Sequence, residues 1–330
     1  MVGLDSINDY YNPQLKLDRL ANTGIRTNFQ QWREMIQSVD FPNYRFVRTK
    51  LEDKKVLQEL FDQEKFDQVI HLAAQPGVRY SLKYPEAYIE SNIVGFLNVL
   101  EACRHHHIKH LVFASSSSVY GNSKKMPLST SDNVDHPVSL YAATKKSNEL
   151  MAHTYSHLFD IPVTGLRFFT VYGPWGRPDM ATHLFADAIA NEGIIKVFNQ
   201  GKLSRDFTFV TDIAEGVFSV SRKPPKSVVK QVNTWTDRGT HAPYAIYNIG
   251  NSQPIKLIDF ISTLERVMGD TAEKEFLPMQ PGDVKDTYAD IADLQRDFGY
   301  APSTDLEEGL QLFAQWYKDY YQIGYHTMSV

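Results

Sequence analysis

Two segments of the chain carry residues able to move a proton at a substrate hydroxyl. In Tyr141-Ala142-Ala143-Thr144-Lys145 a phenol and an ammonium stand four residues apart, so on a helix they project from one face. A neighbouring ammonium favours the phenolate and draws the Tyr141 pKa down from about 10 toward the range of a general base. The same spacing also occurs on ordinary solvated helix faces. The second segment, Phe113-Ala114-Ser115-Ser116-Ser117-Ser118-Val119-Tyr120-Gly121, sets a hydroxyl-rich turn directly behind an apolar run. Open α/β sheets bind ligands at that place, past the carboxyl end of a strand. Ser116 stands 25 residues before Tyr141, where its hydroxyl can donate to a substrate oxygen while the phenolate takes the proton. Alone, the turn also reads as a Ser-rich helix cap. Together the segments point to one proton-transfer site.

Such a pair has to be held by a sheet and its helices. From the start to about residue 166, short β-branched runs alternate with amphipathic stretches, the signature of a parallel sheet flanked by helices. The strands are expected at Val2 to Asp5, Tyr44 to Arg48, Gln68 to Leu72, His110 to Ala114 and Val163 to Leu166. The spacing predicts helices over Pro85 to Cys103 and Leu140 to Phe159. After Gly173 the texture changes to a loop punctuated by Pro174, Gly176 and Pro178. Short strands then mix with helices at Met180 to Ala190, Thr211 to Ser221, Ile255 to Val267 and Leu306 to Tyr320. This divides the chain into a large domain over 1–173 and a smaller one over 174–330, with segments near 205–221 and 245–250 returning to the large one. Arg222 to Pro243 reads as an exposed excursion.

Composition narrows the ligand. The chain has 330 residues, 42% hydrophobic and 22% charged, which fits a folded globular protein rather than a disordered or coiled-coil one. Its 34 basic against 39 acidic residues leave no electrostatic footprint for nucleic acid or an anionic membrane, so a small molecule is the expected partner. Cys103 is the single cysteine and cannot form an internal disulfide, and no apolar run reaches about 18 residues; a reducing cytoplasm is the expected location. His105, His106, His107 and His110 point around a helix rather than converge, so no metal is expected.

With these residues in place the sequence resembles the extended short-chain dehydrogenase/reductase family, and within it the NAD-dependent nucleotide-sugar epimerases, nearest the UDP-glucuronate 4-epimerases. The resemblance runs through nearly the whole chain. It is carried by Gly3-Leu4-Asp5 with Asn8-Asp9-Tyr10-Tyr11, His71-Leu72-Ala73-Ala74-Gln75, Gly77-Val78-Arg79-Tyr80-Ser81, the Ser-rich turn and the Tyr141/Lys145 pair. Downstream, Arg167 to Pro178, Arg205-Asp206-Phe207-Thr208, Tyr247 to Asn251 and Gln280-Pro281-Gly282-Asp283 agree as well.

The resemblance implies a Rossmann-like doubly wound sheet with a smaller C-terminal α/β substrate domain, NAD as cofactor and a UDP-sugar as substrate. Tyr141 takes the proton of the sugar 4-hydroxyl, a 4-keto sugar forms transiently, and return of the hydride to its other face inverts C4. Lys145 binds the nicotinamide ribose, and Ser116 orients the 4-oxygen. Asp5 accepts from the adenosine ribose hydroxyls; Leu72, Ala73 and Ala74 let the backbone approach the cofactor, with Asn92 near the nicotinamide half. For the substrate, Arg205 matches a diphosphate-binding arginine and Asp283 a uridine-ribose acceptor. Ser117 and Thr170 suit a carboxylate, to which Arg177 adds charge, and Arg79 is a candidate phosphate ligand. A homodimer through helices 85–103 and 140–159, and a place in surface-polysaccharide biosynthesis, are also implied.

Ser117 and Ser118 occupy positions where related dehydratases and decarboxylases carry an acid, which disfavours those reactions. One departure is larger. A dinucleotide-binding fold opens with a strand, a glycine-rich turn and a helix, and the first run here matches the second strand of that pattern, so about 25 to 30 residues are missing from it. With strand order 3-2-1-4-5-6, that loss separates the strands at Val2 and Tyr44 from the one at Gln68 and weakens NAD binding. Lys50 stands where relatives carry Asp or Asn near the adenine. Two alternatives therefore accompany the epimerase reading: a catalytically silent sugar-nucleotide-binding protein, and a 4-epimerase of an uncharged UDP-hexose.

Overall fold

β1 (Val2–Asp5) lies parallel to β3 (Arg45–Arg48), and β3 also takes the antiparallel β2 (Met35–Gln37), giving the order β1-β3-β2. The computed structural model describes residues 1–28, 31–227, 241–280 and 284–323. The principal sheet is entirely parallel: β4 (Gln68–His71), β5 (His110–Ser116), β6 (Val163–Phe168) and β10 (Tyr244–Ile249) run in the order β10-β6-β5-β4. Parallel sheets need both faces covered, and the near-continuous apolar run of β5 fits that requirement.

Among the described residues β1 pairs only with β3, and β4 only with β5, so the strands near Val2 and Tyr44 stand apart from the one at Gln68. At this edge Ile70 is 44% exposed and Leu72, just past the strand, 54%. Side chains join the two sheets at their carboxyl ends, where Asn8 Nδ2 donates to Gln75 Oε1 at 3.3 Å. α1 (Gln14–Ala21) and α2 (Lys54–Glu64) belong to the connections between these strands.

One face of the principal sheet is covered by the stretch Pro85 to His105 and by α5 (Leu140–Phe159), which bury Leu100, Phe113, Ala152 and Val163 completely. Burying a side chain of this size contributes about 1.5–3 kcal/mol. α5 begins where Ser139 Oγ accepts from the Ala142 N–H at 3.1 Å and ends on the left-handed Asp160. The stretch expected as one helix over Pro85 to Cys103 is helical throughout but not uniform. α3 (Pro85–Tyr88) leads into a π-helical turn over Ile89–Gly95 before α4 (Phe96–His105). Gly95 lets this turn approach Leu51, since a Cβ there would stand 3.0 Å from the Leu51 Cβ.

α7 (Val210–Ser221) and α9 (Ala292–Phe298) cover the opposite face over Val112, Leu166 and Ile249. The remaining strands form two small sheets. β7 (Thr170–Tyr172), β9 (Ser204–Phe209) and β11 (Pro254–Lys256) take the order β11-β9-β7, and β8 (Ile194–Val197) pairs with β12 (Glu273–Phe276). α6 (Ala181–Ala190), α8 (Leu257–Met268) and α10 (Leu306–Tyr321) close a second core in which Phe207 stacks on Phe260 at 4.1 Å. Ile255, expected to open a helix, belongs to β11, and α8 starts two residues later. Most of the excursion expected over Arg222 to Pro243, residues 228–240, lies outside the described residues.

Candidate active site

The strand register places the chemistry at one end of the principal sheet. Ser116 closes β5 opposite Phe168 of β6, which in turn faces Ile249 of β10. Ser116 Oγ accepts from the Ser118 N–H at 3.2 Å and from the Ser118 hydroxyl at 2.8 Å, so its own O–H is left to donate to its third partner, the Tyr141 hydroxyl. α5 supplies Tyr141 from its first turn and Lys145 one turn later, and the edge of the Tyr88 ring meets the Tyr141 ring at 6.1 Å. The hydroxyl pair expected from the sequence is thus assembled.

The expected pKa coupling is not what the geometry delivers. Lys145 is 3% exposed and its Nζ donates to the Ala114 carbonyl at 2.9 Å, 6.0 Å from the centre of the Tyr141 ring. Burial, the largest influence, raises the Tyr141 pKa above 10; the Ser116 hydrogen bond and the Arg177 charge act against it. The ammonium is bonded to a backbone carbonyl, and desolvation lowers its own pKa to about 8. The groups that favour the phenolate are therefore the Ser116 hydroxyl, as a donor, and the Arg177 guanidinium, through its charge.

Asn92 lies inside the π-helical turn and is 2% exposed. Its Oδ1 accepts from the Gln75 N–H at 2.7 Å, while its Nδ2 donates to the Gln75 carbonyl and to Thr144 Oγ1, both at 3.1 Å. This clamp fixes the loop after β4 against α5. Leu72, Ala73 and Ala74 form that loop, with Leu72 exposed. Asp5 ends β1, and its Oδ1 accepts from the Ile7 N–H at 2.6 Å. Lys16 and Arg48 both feel its charge.

Thr170 begins β7 two residues beyond β6, at the same end of the sheet as Ser116 and Ser117. Arg177 donates from Nε to Asp179 Oδ1 at 3.0 Å and from Nη2 to Asp179 Oδ2 at 3.2 Å. Arg79 is exposed and lies over the Phe198 ring at 5.3 Å. Arg205 points its guanidinium at backbone, donating to the Ser204 and Lys285 carbonyls at 2.9 and 2.8 Å and also to Val284. Asp283 lies outside the described residues.

Three groups at the site were missed by sequence reasoning: Tyr88, Asp179 and the buried Glu149. Only Glu149 left a signal, an acid four residues after Lys145 on the same helix face.

The two riboses of a dinucleotide fit what is present: a buried lysine one turn behind a tyrosine for the nicotinamide end, and a carboxylate at a strand end held by its own backbone for the adenosine end. Among the described residues no glycine-rich turn links β1 to α1, so pyrophosphate contacts are not assigned. No group of three or more His, Cys, Asp or Glu among the described residues is placed to hold a metal, and no described helix is long and apolar enough to cross a membrane.

The comparisons converge. A family model described as GDP-mannose 4,6 dehydratase matches residues 10–313. The chain is 49% identical over 323 residues to the Staphylococcus aureus protein CapI, covering 98% of this chain and 92% of that one. It is 41% identical over 330 residues to a probable UDP-glucuronate 4-epimerase of Rhizobium meliloti, covering 99% and 92%. Among solved structures, the UDP-glucuronic acid 4-epimerase of Bacillus cereus in complex with UDP-glucuronic acid and NAD is similar, with TM-score 0.81 and 30% identity over 97% of this chain and 91% of that one.

Proposed function

The chain belongs to the GDP-mannose 4,6-dehydratase family of extended short-chain dehydrogenase/reductases, and within it we propose that the chain is an NAD-dependent 4-epimerase of UDP-glucuronate, forming UDP-galacturonate. The observation that carries this reading is the Ser116–Tyr141 hydroxyl pair at the carboxyl end of a parallel sheet, with Lys145 buried one turn behind it. Ser117 and Ser118 provide no carboxylic acid beside that pair, which separates the reading from the dehydration that gives the family model its description.

In the reaction Tyr141 takes the proton of the sugar 4-hydroxyl and later returns it, and Ser116 holds the 4-oxygen throughout. Bound NAD would supply reversible hydride transfer at C4 of the sugar, the chemistry by which that carbon is inverted. Lys145 meets the nicotinamide ribose and Asp5 the adenosine ribose, beside the loop of Leu72, Ala73 and Ala74 that Asn92 clamps. Thr170, Ser117 and Arg177 form the carboxylate end of the sugar site, while Arg205 and Arg79 serve the diphosphate and Asp283 the uridine ribose. General acid/base assistance of this kind supplies about 10²–10⁴-fold.

We place the dinucleotide-binding part over 1–173 and the substrate part over 174–330, with segments near 205–221 and 245–250 returning to the former, and the enzyme in the cytoplasm as a homodimer serving polysaccharide biosynthesis. Ile89, Val94, Leu97, Leu150 and Leu158 leave apolar surface on the two helices that would make the dimer contact.

The test is incubation with UDP-glucuronate and NAD followed by chromatographic separation of the epimers. Interconversion that disappears in Tyr141→Phe supports the reading. A wild-type chain that binds the nucleotide sugar without converting it defeats it in favour of a silent binding protein.

A further inference from the structure

Three stretches far apart in sequence meet at the Tyr10 hydroxyl. It donates to Asp179 Oδ2 at 2.9 Å across 169 positions of chain. Its ring packs edge-on against Tyr80 at 4.8 Å, and a Cβ on Gly77 would stand 2.4 Å from its oxygen. Gly77 has φ +96, so the loop after β4 closes over Tyr10 by a conformation that glycine adopts without strain. Tyr10 itself follows β1 by five residues, on the segment that begins with Asp5.

Asp179 is the hinge of this arrangement. Both its oxygens accept from Arg177, through Nε and Nη2, a bidentate pairing that fixes the plane of a guanidinium. The same segment is tied down a second time, because Arg19 Nη2 donates to the Gly176 carbonyl at 3.0 Å and Nη1 to the Tyr11 hydroxyl at 2.6 Å. Trp175 is held from the other side by Trp316 and Tyr320 of α10, with ring centres at 5.4 and 5.3 Å. Among the described residues, Asp179 and Met180 use the Nε and Nη2 edge of the Arg177 fork and no partner takes the Nη1 edge. The Nη1 edge keeps its donors for an anion. Arg177 sits near enough to Tyr141 for its charge to act on that phenol. In a hexuronate the carboxylate carbon is two bonds from C4, so a sugar whose 4-hydroxyl meets Tyr141 carries its carboxylate into the reach of an arginine placed this way.

We propose that Asp179, braced by the Tyr10 hydroxyl, is a positioning residue that aims Arg177 at the carboxylate of the sugar, so that preference for a charged sugar is set by the segment following β1 and not by the arginine alone. The inference rests on the epimerase reading and deepens it by naming what sets its substrate class. Neither residue touches the reacting atoms.

The experiment titrates the full chain, with NAD present, with UDP-glucuronate and separately with UDP-glucose by calorimetry, using wild type, Tyr10→Phe, Asp179→Glu, Arg177→Met and the Tyr10→Phe/Arg177→Met double variant. The wild type should favour UDP-glucuronate. Tyr10→Phe should raise its Kd on the order of tenfold, the equilibrium equivalent of one weakened charge-assisted bond, and leave UDP-glucose nearly unchanged. In Asp179→Glu the charge is kept and moved by one methylene; loss of discrimination there marks positioning, whereas retained discrimination marks charge alone and overturns the proposal. Once Arg177 is Met, Tyr10→Phe should add nothing, as a shared path requires. Equal weakening of both sugars by Tyr10→Phe, or none, overturns the proposal. Failure of the wild type to bind either sugar instead defeats the function reading beneath it. Tyr10→Phe removes a single oxygen, so it decides the question even if Asp179→Glu does not fold.

Discussion

Glu149 and Arg167 form a bidentate ion pair, Nε to Oε1 at 2.8 Å and Nη2 to Oε2 at 2.9 Å, with both side chains 4% exposed. Ser115 Oγ donates to the same Glu149 oxygen at 2.6 Å, so one carboxylate ties α5 to the ends of β5 and β6, one turn beyond Lys145 and one residue before Ser116. Removing one partner leaves a buried charge without compensation. Glu149→Ala is expected to cost about 3–5 kcal/mol of stability, while replacing both partners with methionine should cost far less. Urea denaturation of the two variants checks this, and equal losses in both would refute it.

Lys145 gives a pH dependence of known sign. Desolvation lowers its pKa from 10.5 to about 8 in the folded chain. Between those values the unfolded chain holds a proton that the folded chain has released, so stability from this group rises with pH across the window, by about 3 kcal/mol at full extent. Below pH 8 both states are charged and the desolvation cost stands in full. Lys145→Met should raise the urea midpoint at pH 7 and flatten the profile between pH 8 and 10 when no dinucleotide is added. A lowered midpoint with an unchanged slope contradicts the assignment.

Three buried histidines act at the acid end. Desolvation is the leading cause in each case: it lowers the His71 pKa to about 3, His183 to about 4, and His110 below its usual value. Below about pH 6.5 the unfolded chain takes up protons that these rings refuse, so stability falls as pH drops, by up to about 1.4 kcal/mol per pH unit for each histidine. His183 sits among Phe313, Trp316, Tyr317 and Tyr321, which would also accept a phenyl ring. His183→Phe should lower the slope between pH 5 and 6 by up to about 1.4 kcal/mol per pH unit, and an unaltered slope in denaturation curves across that range would count against it.

Much of the frame is legible in the sequence where a local rule acts. Ser139 and the following helical period fix the start of α5, and with it the spacing of Tyr141 and Lys145. β5 is legible because its apolar run is nearly unbroken. What escapes depends on partners distant in the chain. The π-helical turn at Ile89–Gly95 is shaped by Asn92 clamping Gln75 and by Gly95 meeting Leu51, neither of which leaves a periodic trace. β7 and β11 have three residues each and take their shape from pairing with β9. The Lys145 ammonium, 6.0 Å from the centre of the Tyr141 ring, is bonded to the Ala114 carbonyl, and no spacing rule contains that carbonyl. Tyr10 and Asp179 meet across 169 positions of chain, with the loop after β4 packed on Tyr10 and Arg19 bonded to Gly176.

Gly165 tests how tightly the site depends on the sheet beneath it. It lies in the middle of β6 opposite Phe113 of β5 and Ile246 of β10, three pairs before Ser116 meets Phe168. A Cβ there would stand 2.4 Å from the Ile246 Cδ1 and 2.7 Å from the Phe113 Cζ. Ile246 is only partly buried and its Cδ1 can give way, but Phe113 is completely buried and cannot withdraw without disturbing a packed layer. Gly165→Ala is therefore expected to destabilise the chain by about 1–3 kcal/mol through overpacking. Because the displaced strand also carries Ser116, epimerisation should fall further than substrate affinity does. Thermal denaturation and a comparison of kcat with KM check the two parts separately, and a stable variant with wild-type kcat would show that β5 yields without moving its serine.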